Sequence, residues 1–171
     1  MPGTTAGGLP YPLPTEPVRD GAQRIRELAE RLDTAEWEVF RSENQNCTTS
    51  TWQQIGYTTT PVSRNNAIFS GSGSGITVKV VGRYLIHAAA TFSANTAGRR
   101  GICVLSTAGG SPGASTPQLF APALPSGAHP LVFSTVQTCG SNTEWAVFLF
   151  QDSGATLLAS NVRFTMYRLP Q

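Results

Sequence analysis

Charged side chains are scarce in this 171-residue chain: Asp, Glu, Lys and Arg together supply 13% of it, about half the usual share. The shortage is uneven. Residues 1 to 43 hold five Arg and eight Asp/Glu, whereas residues 44 to 171 hold seven Lys/Arg and only two Asp/Glu. A surface with so few charges is expected to bury part of itself against copies of the same chain. The surplus of positive charge in the second region is too dispersed for the clustered Lys/Arg patch that displaces counterions from nucleic acid, so no nucleic-acid partner is expected.

Other absences remove further classes. Cys47, Cys103 and Cys139 are odd in number and form neither a CxxC pair nor a zinc spacing, which excludes a complete disulfide framework. Cys103 sits in the apolar run Ile102 to Leu105 and reads as a small buried hydrophobe. No apolar stretch approaches the roughly 18 residues that cross a bilayer, and no charged-then-apolar signal leads the chain, so a protein made and assembled in a cytoplasm, without membrane insertion, is expected. Histidine is limited to His87 and His129, and Glu144 and Asp152 are the only carboxylates after Glu43. The Ser-Gly repeat from Ser70 to Gly75 fits neither a nucleophile elbow nor a dinucleotide fingerprint and reads as a flexible turn. No catalytic residue, metal or cofactor is expected. A glycan depolymerase would require Glu144 and Asp152 within catalytic distance of each other.

What the chain does contain changes character along its length. Residues 1–19 form a Pro/Gly-rich arm, and Asp20 followed by Gln23 gives a capping-box pattern that opens a helix running to about Asp33. Val18, Ile25, Leu28 and Leu32 fall at three- and four-residue spacing, a stripe suited to packing or oligomerisation. A helix of some thirteen residues is marginal alone, so this stripe must pack on its own domain, on a neighbouring subunit or on another protein. Residues 20–43 are read as this helix and a linker, and residues 44–171 as a β domain. From Trp37 onward, Val, Ile, Phe, Tyr and Thr recur in short runs between turn clusters, predicting eight to ten strands in an antiparallel sandwich. In the longest run Tyr84, Ile86, Ala88, Ala90 and Phe92 point one way. Leu85, His87 and Ala89 point the other, onto a smooth face suited to contact with another subunit.

Two resemblances give these features a context. The arm Gly8-Leu9-Pro10-Tyr11-Pro12-Leu13, followed by an Ala/Leu-rich helix ending in Leu32-Asp33, resembles the N-termini of minor tail and fibre proteins of tailed phages from high-GC, actinobacterial hosts. The stretch from Gly82 to Phe92, then a basic turn, a short apolar strand, a Gly/Ser/Pro loop and an aromatic last strand resemble the trimeric jelly rolls of the tumour-necrosis-factor and complement-head type. Together they imply a mainly β jelly roll preceded by an extended arm and one short α-helix. They also imply a homotrimeric virion fibre or spike, whose residues Leu9, Pro10, Tyr11, Pro12 and Leu13 dock on capsid or tail proteins. In that picture Leu85, His87 and Ala89 face the trimer partner. Strand parity gathers Arg99, Arg100 and His129 at the distal tip, suited to a host-surface anionic glycopolymer. A capsid decoration protein without host contact is the alternative.

Overall fold

The computed structural model describes residues 3–4, 10–11, 23, 36–57, 62–63, 68–107 and 110–169. In chain order these give β1 (Gly3–Thr4), β2 (Pro10–Tyr11), β3 (Glu36–Arg41), β4 (Gln45–Cys47), β5 (Gln53–Gln54), β6 (Val62–Ser63) and β7 (Phe69–Ser72). There follow β8 (Gly75–Val78), β9 (Gly82–Phe92), β10 (Arg99–Ser106), β11 (Gln118–Pro122), β12 (His129–Cys139), β13 (Thr143–Gln151) and β14 (Leu157–Arg168). Sheet I runs β12-β9-β14-β3-β6, with β4 also paired to β14. Sheet II runs β11-β10-β13-β8-β7, with β5 also paired to β13. The pairings in both sheets are antiparallel. Nine of the strands are four residues or longer, in keeping with the turn spacing of the sequence.

Alternation builds the core. Tyr84, Ile86, Ala88 and Phe92 of β9 and Phe164 and Met166 of β14 are buried with Ile102 and Val104 of β10 and Val147 and Leu149 of β13, in one cluster between the sheets. Each large side chain so buried contributes about 1.5–3 kcal/mol. β14 would lose this alternation without its bulge. Asn161 adopts a positive φ of 50° and the register with β9 shifts between Ser160 and Arg163. Leu157 and Ala159 therefore face inward before the bulge, and Val162, Phe164 and Met166 after it.

The sheet extends further toward the N-terminus than the linker expected up to residue 43. β3 pairs with β14 over six positions, and its Trp37 and Val39 are buried in the core, so residues 36–41 are part of sheet I. Glu36 pairs with Tyr167, which places the start of β3 and the end of β14 at the same end of the sandwich. Segments 93–98, 123–128 and 152–156 lie together at the opposite end. The run Ser70 to Gly75 does not join them. It forms the β7–β8 hairpin, whose Gly75–Val78 strand pairs near the start of β13, and Tyr57 N–H bonds to its Gly73 carbonyl.

Within the expected arm and helix, Pro10 and Tyr11 of β2 pair with Thr4 and Gly3 of β1, and Gln23 is helical and exposed. Leu9, Pro12, Leu13, Val18, Ile25, Leu28 and Leu32 lie outside the described residues.

Candidate functional site

The outward face of sheet I mixes apolar and weakly polar side chains and carries few charges. Leu85, His87 and Ala89 of β9 are half-buried. In register, Leu85 lies between Val136 and Tyr167, His87 between Ser134 and Thr165, and Ala89 between Val132 and Arg163. Val132 and Val136, both on β12, are 56% and 44% exposed, and β12 and its neighbour β9 are each eleven residues long. His87 Nδ1 is hydrogen-bonded to Ser134 Oγ at 2.9 Å, which satisfies one ring nitrogen within the face. Charge enters on β14, where Arg163, beside Ala89 in register, stands 3.9 Å from Glu38 and 5.3 Å over the Phe40 ring.

The three residues expected at the exposed tip do lie at one end of the sandwich, but the strand pleat separates them. β10 begins at Arg99, three residues before the apolar run. Arg99 therefore points outward with Gly101 and Cys103, while Arg100 points inward with Ile102 and Val104. Arg100 is fully buried and His129 is 6% exposed, so neither belongs to a positive surface cluster. The Arg100 guanidinium instead donates to the carbonyls of Asn95 at 3.0 Å, Ala97 at 2.9 Å and Arg99 at 3.0 Å, holding the segment before β10 in place. Burial lowers the Arg100 pKa, and the Asp152 charge opposes that change. Burial, reinforced by the Arg100 charge, holds the His129 imidazole below its ordinary pKa.

Arg99 remains at the surface, with 58% of its side chain exposed. Its backbone N–H donates to Asp152 Oδ1, and its Nε donates to Asp152 Oδ2 at 2.9 Å. The backbone bond is the main reason that the Asp152 carboxyl is held below the usual range, with the Arg99 side chain and Arg100 charge adding to it against a burial effect of opposite sign. Glu144 is separate. It accepts from Ser74 Oγ at 2.9 Å and Thr107 Oγ1 at 3.1 Å. Glu144 lies near the start of the nine-residue β13 and Asp152 just past its end, about 26 Å apart at the rise of a strand, whereas the carboxylates of a glycosidase stand within roughly 9.5 Å. Among the described residues no three His, Cys, Asp or Glu side chains converge as a metal site.

A further group has no simple sequence signal. On the outward face of sheet II, Gly101 lies between Phe120 and Phe150 in register. Trp52 closes over both rings, with centroids 5.6 Å from Phe120 and 5.3 Å from Phe150. Arg99 Cζ lies 5.1 Å from the Phe120 centroid. The three rings come from separate segments of the chain, so only the strand register reveals the group. The cluster is continued beneath Trp52 by Cys103, Ala146 and Phe148. All three cysteines are free and buried, and burial pushes the thiol of Cys47 up to about 11 and those of Cys103 and Cys139 up to about 12.

No protein-family model and no curated protein sequence matches the chain. Solved structures do. Murine APRIL matches with a TM-score of 0.59 at 12% identity, over 80% of this chain and 99% of that one. The globular domain of a zebrafish complement 1qA protein matches with a TM-score of 0.55 at 16% identity, over 80% and 98%. The PRD1 vertex protein P5 matches with a TM-score of 0.55 at 15% identity, over 80% and 97%. At these identities the likeness establishes a shared jelly-roll fold.

Proposed function

We propose that the chain is a virion structural protein, a homotrimeric fibre or spike that docks on a phage capsid or tail through its N-terminal arm and presents its jelly roll to the host surface. The observation that carries this reading is the outward face of sheet I. Two long strands set Val132, Val136, Leu85, His87 and Ala89 side by side, a surface whose burial between copies releases water, while the adjoining Arg163 has Glu38 beside it as a counter-charge. Closed threefold packing would cover this face in every subunit. The polarity of the sandwich supports the same reading: β3 starts at one end, and segments 93–98, 123–128 and 152–156 occupy the other. The fold shared with PRD1 vertex protein P5 adds support. In this reading Leu9, Tyr11 and Leu13 insert between particle proteins, with Pro10 and Pro12 limiting the conformations lost on docking. Val18, Ile25, Leu28 and Leu32 pack between subunits or against the particle.

Light scattering on the purified chain tests the assembly. A mass three times the 18.2 kDa of one chain is expected at micromolar concentration, and a single-chain mass overturns the reading.

A further inference from the structure

Self-association through sheet I leaves the aromatic group on sheet II unused. Its rings are mutually tilted, by 55° between Trp52 and Phe120, 44° between Trp52 and Phe150, and 90° between Phe120 and Phe150. They form a stepped apolar surface, with Phe120 36% exposed and Trp52 and Phe150 half-buried. Gly101 is the floor of the step. A Cβ there would lie 2.7 Å from the Phe120 ring and 3.1 Å from Phe150 Cβ, so any other residue would push Phe120 out of place.

Polar groups border this surface. Among the described residues the Trp52 indole N–H and the terminal nitrogens of Arg99 make no hydrogen bond, Arg99 being held to Asp152 through its Nε and lying over the Phe120 ring. The Asp152 carboxylate offers acceptor capacity beside them. A wholly apolar partner would strand these donors, at about 1–3 kcal/mol for each buried group. Arg99 and Asp152 offset one another, and Arg100 faces the core, so the site has no net charge with which to select an anion. A ligand is called for that has apolar C–H faces, a perimeter of hydroxyls and no charge.

We infer that Trp52, Phe120 and Phe150, with Arg99 and Asp152, form a binding site for a neutral pyranose glycan. A sugar ring lays its C–H face on Trp52 and Phe120, where dispersion and weak C–H contacts to the rings act over the whole face. Its hydroxyls accept from Arg99 and the Trp52 indole and donate to Asp152, as charge-assisted bonds in part. The inference deepens the host-contact element of the proposed function, and rests on it for the biological source of the glycan.

The test is binding of the fluorescently labelled full-length chain to a printed array of neutral and anionic oligosaccharides, alongside Trp52→Ala, Phe120→Leu and Arg99→Ala. Circular dichroism and light scattering confirm that each variant keeps the fold and mass of the wild type. Retention of one or more neutral pyranose glycans is expected, at least tenfold weaker in Trp52→Ala and severalfold weaker in Arg99→Ala. Phe120→Leu retains apolar bulk and separates the ring face from mere hydrophobicity; it too should bind more weakly. Failure to retain any neutral glycan, retention of anionic glycans alone, or equal retention by Trp52→Ala and Phe120→Leu overturns the site. A single-chain mass with glycan binding intact retires the trimeric spike and leaves the site standing. A trimer without glycan binding does the reverse.

Discussion

Two adjacent arginines show how strongly the pleat divides neighbours. Arg99 and Arg100 read alike in the sequence, yet one is a surface ion-pair partner and the other a buried clamp on three carbonyls. Arg100→Ala leaves those carbonyls without their donor and is expected to cost about 2–4 kcal/mol. Arg99→Ala removes an exposed pair and should cost about 0–1 kcal/mol. Urea denaturation of the two variants measures the difference, and similar midpoints would show that the clamp does not hold the segment. Gly98 makes the same turn possible from the other side. It has φ of +73°, and a Cβ there would lie 2.5 Å from the Asp152 carbonyl oxygen, so Gly98→Ala is expected to be destabilising through both strain and collision. His129 adds a pH dependence. Its folded-state pKa is lowered by burial and by Arg100, so its contribution to stability is fully present above the unfolded value near 6.5 and is lost as pH falls through the folded value. Asp152 is also depressed, but its contribution fades only below the ordinary carboxylate range. The urea midpoint should therefore drop from pH 7.5 to pH 5, and His129→Gln should reduce that drop. An identical drop in the variant would assign the acid sensitivity to other groups.

At the scale of elements, legibility followed regularity. The alternation from Tyr84 to Phe92 was readable because every second side chain meets the same core, and the structure keeps both faces as the sequence implies. β14 was readable only from Val162 onward, since the bulge at Asn161 inverts the inward parity and makes Leu157 to Ser160 look like loop. β4 and β6, of three and two residues, are too short to carry a period. The buried Gln151 was also illegible, because its role is set by distant partners: its amide donates to the Cys47 and Ala155 carbonyls and accepts from Ser153. The aromatic group on sheet II failed to show for the same reason, its members being brought together by register alone. Cys103, in contrast, was legible from the apolar run around it. With every thiol buried and its pKa raised, an aromatic disulfide reagent should label none of the three cysteines within minutes in the native protein and all three in urea. Rapid native labelling of any one would show that its strand opens readily. The arm belongs to this scale too. Deleting residues 1–17 removes β1 and β2, which pair with each other, and so should leave the circular dichroism of the jelly roll unchanged while abolishing incorporation into virions. Normal incorporation would move the docking surface to the helix or to the β domain.

The whole molecule has two outward sheet faces, and in the proposed spike they take different tasks. Sheet I would be covered by neighbouring subunits and sheet II would remain open at its Trp52 corner. The division can be tested by charge alone. Val132 and Val136 are exposed in the single chain, so replacing both by Glu should change the stability of an isolated subunit by no more than about 0.5 kcal/mol each, as for ordinary surface sites. In a closed trimer the same change would place two carboxylates in an interface of every subunit, where desolvation without a partner costs several kcal/mol per ion. The symmetry would repeat that cost three times. Val81 is equally exposed at 56% but lies in the connection between β8 and β9, away from the centre of the face, and Val81→Glu serves as the control. The Val132→Glu, Val136→Glu double variant is therefore expected to sediment as a single folded chain, with a far-ultraviolet spectrum like that of the wild type, while Val81→Glu keeps the assembled mass. If the double variant also keeps that mass, the centre of sheet I is not the contact, and assembly must be sought along the edges of the sandwich or in the N-terminal helix.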